Sequence, residues 1–210
     1  MDTFSAGACI RFGWETFKKR PWFLISSYIL YMIVIGGLGA MLAQIGRDGG
    51  MTGALTTLAR LAIDVAGGIA VLHFFLKAHD DIEHLSLSDF TKFTPFWTYV
   101  GTAILYWAIV VCGLVLVIVP GVIWAIMFGF GLLLVVDKGM GPIEALKESK
   151  RITYGYKWQL FLLGILSILV VILGFICLIV GVLVAYPVVT IAMVHAYRTL
   201  QQKQTIPTTM

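Results

Sequence analysis

Lys138–Trp158, KGMGPIEALKESKRITYGYKW, is the longest polar interval after the first apolar run, and long apolar runs flank it on both sides. Five of the fifteen Lys and Arg residues lie in it: Lys138, Lys147, Lys150, Arg151 and Lys157. Pro142 suits a first helical turn, where its missing N–H is no loss. Glu144 near that end, and Lys150 and Arg151 near the other, match the helix dipole. Ala145, Ser149 and Ile152, with Leu146 and Thr153 beside them, recur at helical spacing and form a narrow face of small and apolar side chains. Gly155 ends the segment before an aromatic entry, Tyr156-Lys157-Trp158. The pattern predicts an amphipathic helix over 141–155, lying at the cytoplasmic membrane surface between two membrane hairpins.

The rest of the chain fits that frame. It is 60% hydrophobic and 12% charged, with a mean hydropathy of +0.95. Soluble domains carry about 25% charged residues, so the expected fold is an all-α polytopic membrane protein, in one domain over 1–210. The net charge of +4 is not a nucleic-acid signal, because the basic residues cluster beside apolar runs. Cys9, Cys112 and Cys177 stand apart, without a CxxC pair or a histidine at ligand spacing. They are expected to be inert. The N-terminal segment lacks a secretory pattern and is taken as preceding a retained first span.

In chain order, 3–20 reads as an amphipathic helix with Ala6, Ile10, Trp14 and Phe17 on one face and Arg11, Lys18, Lys19 and Arg20 on the other. Spans are expected at about 22–44, 55–77, 96–118, 121–136, 159–176 and 179–197, each near the length a bilayer of ~30 Å requires. Gly36 and Ala40 form a small-xxx-small pair that favours close packing. Pro120-Gly121 is the predicted turn between the third and fourth spans. Gly174 and Gly181 bracket the bend between the last two, and Pro187 is expected to kink the final helix. Ser88-Asp89 reads as a turn or helix cap before Phe90, Phe93 and Phe96 reach the interface.

The second span carries the one ionisable pair, Arg60 and Asp64, four residues apart on one helix face. Charges near mid-membrane cost about 2.5–3.5 kcal/mol each on insertion scales. Three readings stand: an intrahelical ion pair with Arg60 snorkelling outward, a span that begins near Leu61, or a polar transport or ligand site. His79, Asp80, Asp81, Glu83 and His84 resemble a metal cluster, but HExxH and HxxEH are both absent, so a solvated helix end is expected. His195 reads as a lone interfacial histidine.

Six spans put both termini on one side. Thirteen of the fifteen basic residues then fall on that side, Arg47 alone falls outside, and Arg60 lies within a span. That asymmetry predicts cytoplasmic termini in a prokaryotic inner membrane. A threefold pattern accompanies it: each hairpin is entered at a tryptophan, in KRPWFL, FTPFWTYV and YGYKWQLF, and Gly113 and Gly174 each follow theirs by sixteen residues.

The motif D-K-G-x-G-P-x-E-A-L-K-x-S-x-x-x-T-x-G-x-x-W, from Asp137 to Trp158, resembles a hallmark of a broad group of prokaryotic membrane proteins. That group includes the membrane domain attached to some glycerophosphoryl diester phosphodiesterases and several families of unknown function. RFGWETFKKRPW, Pro120-Gly121 and the stretch from Pro187 to Tyr197-Arg198 extend the likeness. Where the group often has an Arg-Gly-Glu-like turn, this chain has Asp81-Ile82-Glu83-His84. The resemblance implies six membrane helices and no catalytic residues.

The functional expectation is a non-enzymatic scaffold, accessory subunit or membrane-lipid organisation factor, with no cofactor and no metal. Its partners would be membrane lipids and a membrane-protein partner or second copy, met by Lys18, Lys19, Arg20, Lys147, Lys150 and Arg151. The alternative is a small transporter or channel using Arg60 and Asp64. A membrane-embedded enzyme finds no support in nucleophile, metalloprotease or paired-carboxylate motifs.

Overall fold

The computed structural model describes residues 4–91, 96–116, 118–176 and 178–205. Among them the chain is all-α: α1 (Ala6–Lys19), α2 (Pro21–Ile45), α3 (Gly50–Asp80), α4 (Phe96–Leu116), α5 (Ile118–Phe128), α6 (Gly131–Lys138), α7 (Pro142–Thr153), α8 (Lys157–Ile176) and α9 (Leu178–Thr205). Short 3₁₀ turns occupy Gly46–Asp48 and Leu87–Thr91. Among the described residues, six helical stretches are long and apolar enough to cross a membrane, α5 and α6 together forming one of them. Cys177, Lys92, Phe93 and Pro207 lie outside the described residues.

Consecutive long helices pack as pairs, α2 on α3, α4 on α5 and α8 on α9. In each pair the second member is the more buried, so α3, α5–α6 and α9 form an inner layer and α2, α4 and α8 an outer one. Between α2 and α3 the chain reverses through Gly49 and Gly50, at φ +70° and +61°, where a side chain would be strained. The other two pairs close on glycine. A Cβ on Gly113 would lie 2.8 Å from Gly121 Cα, and one on Gly174 would lie 2.6 Å from the Gly181 carbonyl oxygen. The sixteen-residue match after Trp97 and Trp158 therefore marks two equivalent points of closest helix approach. Gly36, by contrast, has open space around it and Ala40 is exposed; Gly39 is the buried glycine of α2.

Two expected features move. Pro120 is not in a turn: α5 begins at Ile118, and proline occupies its first turn, where its lost N–H matters least. The fourth span is not one helix either, since α5 ends at Phe128 and α6 starts at Gly131. The break is mended by α7. Ser149 Oγ donates to the Met127 carbonyl at 2.9 Å and accepts from the Phe130 N–H at 3.2 Å. Thr153 Oγ1 also reaches the Met127 carbonyl, at 3.2 Å. Backbone groups freed by a helix break in an apolar setting require partners of this kind. The α7 face read from spacing is the buried one: Ala145, Ser149, Ile152 and Thr153 are fully buried, and Leu146 packs over Gly131. Ser149→Ala should lower stability in detergent micelles by about 1–3 kcal/mol, because it strands the Phe130 N–H. Thr153→Val should cost less, since Thr153 Oγ1 shares its single proton with carbonyls of its own helix. Thermal unfolding followed by circular dichroism reads both.

The buried face of α1 differs from the predicted one. Ala6, Cys9, Gly13, Thr16 and Phe17 turn inward, while Trp14 is exposed. The cause is close approach: α1 packs on α9 and α8, and a Cβ on Gly13 would run into the Val188 carbonyl oxygen. Helices that meet this tightly select small residues at the contact. Burial pushes the Cys9 thiol up to about 11, which keeps it protonated and unreactive.

Candidate functional site

A connected set of charged and aromatic side chains lies where α3 and α6 finish and α1 and α9 pass. Arg198 on α9 is the hub. Its Nη1 donates to Asp137 Oδ2 on α6 at 2.8 Å, and its Nη2 donates to Asp80 Oδ2 on α3 at 2.6 Å. The Tyr197 hydroxyl, on a fully buried side chain, donates to the same Asp137 oxygen at 2.8 Å. A planar guanidinium suits this role because its donors diverge at fixed angles toward two carboxylates.

The network continues through histidine. His79 Nδ1 lies 2.9 Å from Asp80 Oδ1, and His79 Nε2 lies 3.0 Å from His195 Nδ1. The Phe12 ring of α1 covers the pair, stacked on His195 at 3.9 Å between centroids and 12° between planes. Four elements far apart in the chain thus meet in one connected set. His195 is not a lone interfacial residue, and His79 is not part of a solvated helix end; its side chain is only 14% exposed. The rest of the acidic–histidine stretch, Asp80, Asp81, Glu83 and His84, is exposed, with Asp81 and His84 paired with each other at 2.9 Å. Among the described residues, no group of three or more His, Cys, Asp or Glu is placed to hold a metal ion.

Beside this network the segment after α3 is tied down twice. Arg20 Nη1 donates to the carbonyls of Ile82 and Glu83, at 3.2 and 2.9 Å, with its guanidinium over the Phe23 ring. Those bonds turn it toward the protein, away from the exposed Lys18 and Lys19. Lys77 meets buried Asp89 at 2.9 Å, and Asp89 Oδ2 accepts from the Ser86 N–H at 3.0 Å, so Ser86 is the cap residue in place of Ser88. Burial alone would raise the Asp89 carboxyl, yet Lys77 and Ser86 hold it below the usual range. Phe90 turns inward and stacks on Phe74 at 4.2 Å.

Arg60 and Asp64 stand apart from all of this. Arg60 Nε is 3.9 Å from Asp64 Oδ2, and the two side chains are 55% and 52% exposed. The guanidinium lies across Gly39 of α2, within 3.7 Å of where a Cβ would be. Lys147, Lys150 and Arg151 are exposed on the outer face of α7, with Arg151 bound to Glu148 at 2.6 Å. That contact raises the guanidinium above its ordinary value.

Two apolar grooves run along the helices. One, of about 290 Å³, lies between α2 and α3 and includes Ser27, Tyr31, Gly67 and Phe90 in its walls. The other, of about 480 Å³, lies between α5–α6 and α8–α9, with Tyr106, Gly129, Leu160 and Gly164 in its walls. Asp64 lines neither.

Comparison with known proteins places the chain among relatives. Uncharacterised protein Rv2560 of Mycobacterium tuberculosis is 23% identical over 235 residues, covering 97% of this chain and 70% of the relative. Uncharacterised protein Mb2590 of Mycobacterium bovis matches with the same identity and coverage. No solved structure matches the chain significantly. None of these matches links it to glycerophosphoryl diester phosphodiesterases, the resemblance drawn from the Asp137–Trp158 motif. Residues 84–204, from the end of the α3 loop through α9, match the family model described as a protein of unknown function, DUF975. The chain belongs to the DUF975 family.

Proposed function

We propose that this protein is a non-enzymatic integral membrane scaffold, acting as an accessory subunit or an organiser of membrane lipid. In this reading three hairpins insert from the cytoplasmic side of a prokaryotic inner membrane, both termini stay there, and α1 and α7 lie at the membrane surface. The observation that carries it is the division of the molecule. Its interior charges close on one another at one end, as a clamp between helices, while the exposed surface of the long helices is mostly apolar, with Arg60 and Asp64 the exception on α3. Trp22 and Trp97 are each 82% exposed and Trp158 is 70% exposed, at the start of α2, α4 and α8. Equivalent exposed tryptophans at three helix entries fit a headgroup belt. The basic outer face of α7, with Lys147, Lys150 and Arg151, supplies a surface for anionic lipid or an acidic partner, and Lys18 and Lys19 add to it.

Native mass spectrometry of the protein extracted in mild detergent tests this. Bound anionic lipid or a partner is expected, diminished by Lys147→Gln/Lys150→Gln/Arg151→Gln and unchanged by Arg60→Ala/Asp64→Ala. The transporter reading keeps one supporting observation, the unburied ion pair inside an apolar helix. Solute or proton flux in proteoliposomes that Asp64→Asn abolishes would replace the scaffold reading with that one.

A further inference from the structure

We propose that the His79–His195 pair is a one-proton site whose occupancy sets how firmly α1 is held against the bundle. The first support is geometric. Nitrogen atoms 3.0 Å apart accommodate a single hydrogen between the two rings. With both rings neutral, His79 donates Nδ1–H to Asp80 and its Nε2 accepts the Nδ1–H of His195. One proton from solvent water adds to the free Nε2 of His195 and leaves this arrangement intact; the shared hydrogen then shifts to His79 Nε2 without any heavy atom moving. A second proton has no such place. Both rings would present N–H groups to each other, with no acceptor between them and two like charges in contact.

The second support is charge. Asp80 and Asp137 bring two negative charges to the cluster and Arg198 brings one positive. Other cations on the neighbouring elements are engaged or turned away: Lys77 of α3 binds Asp89, Arg11 of α1 binds Glu15 at 3.3 Å, Arg20 binds the carbonyls after α3, Lys203 of α9 lies over the Tyr156 ring, and Lys18, Lys19 and Lys138 are exposed. Tyr197 contributes a neutral hydroxyl. One proton on the histidine pair balances the set, and a second would overshoot it.

The third support is the connection to α1. Phe12 lies flat on His195 and within 5.0 Å of His79, so its ring face meets whatever charge the pair carries. An aromatic face attracts a cation, so the singly protonated pair holds Phe12 more tightly than the neutral one. A second proton drives His79 and His195 apart, separates the ends of α3 and α9 beneath Phe12, and loosens α1.

The full chain in lipid nanodiscs, with ¹⁵N-labelled histidine and 4-fluorophenylalanine at position 12, tests this by NMR from about pH 8 to about pH 5, the interval over which histidine ordinarily titrates. The expected result is one imidazolium and one neutral ring persisting together over part of that range, with the fluorine signal moving in step with the first protonation. The double variant His79→Gln/His195→Gln should abolish the pH dependence of the fluorine signal while helix content is unchanged. Circular dichroism checks the latter. Independent titration of both rings with one midpoint, or a Phe12 signal indifferent to pH, overturns the proposal, and both are read on the unmutated chain. Neither outcome bears on the scaffold reading, which concerns the exposed surfaces.

Discussion

Arg198→Ala should destabilise the protein by about 3 kcal/mol, the low end of what breaking a buried ion pair costs, because Asp137 is left without its cation. The Asp137 side chain is 15% exposed and that of Arg198 24%, so solvent screens this arm little. The Asp80 arm contributes less, since its carboxylate is 48% exposed. Unfolding in mixed micelles, followed by circular dichroism against a denaturing detergent, measures the loss. Arg198→Lys should recover only part of it, because one ammonium cannot reproduce a fork aimed at two carboxylates. Asp137→Asn should cost less in the Arg198→Ala background than alone, a coupling that a double-mutant cycle reads directly. An Arg198→Ala effect within about 0.5 kcal/mol, the range of ordinary surface substitutions, would mean that the network does not clamp the fold.

Gly174→Leu should be comparably damaging for a different reason. The side chain would start 2.6 Å from the Gly181 carbonyl oxygen and 2.9 Å from Ala185 Cβ, and one of these is backbone that cannot turn aside. Overpacking of this kind costs about 1–3 kcal/mol or more, and here α8 and α9 must part to relieve it. Gly164 on the same helix provides the control. Nothing lies within 4 Å of its added Cβ, so Gly164→Ala should be neutral or stabilising, by up to about 1 kcal/mol of helix propensity. Thermal unfolding and gel migration in detergent compare the two. Equal effects at both positions would assign the loss to glycine's backbone freedom and not to helix contact.

These two predictions rest on features of different legibility. Gly174 was visible in the sequence, both as a bracket of the bend before the last helix and through its match with Gly113 after an entry tryptophan. Arg198 was visible as one more positive charge near a membrane end and as the close of the family-like stretch from Pro187, neither of which names a partner. Its partners Asp80 and Asp137 stand 118 and 61 residues away, and nothing in local pattern joins them. The histidine pair is separated by 116 residues, so each member was weighed alone and each was given a surface role. The α1 face was misjudged by one position because amphipathicity ranks Trp14 above Gly13, whereas close packing on the Val188 backbone reverses that order. The break at Gly129–Phe130 escaped notice because an uninterrupted apolar run carries no signal of where its hydrogen bonds stop.

What the chain alone determined are the quantities that accumulate along it. Hydropathy over some twenty residues sets which helices are apolar enough to enter a bilayer, and proline, dipole and helical period set where α7 lies and which face it buries. Each is a property of residues within a few turns of one another. What the tertiary structure decided are the pairings: Ser149 at a broken helix, Gly13 under a carbonyl, and Arg198 and His195 joining α9 to α6 and α3. Those depend on distances between segments, and an ion pair or a helix contact stabilises only what the fold has brought within a few ångströms.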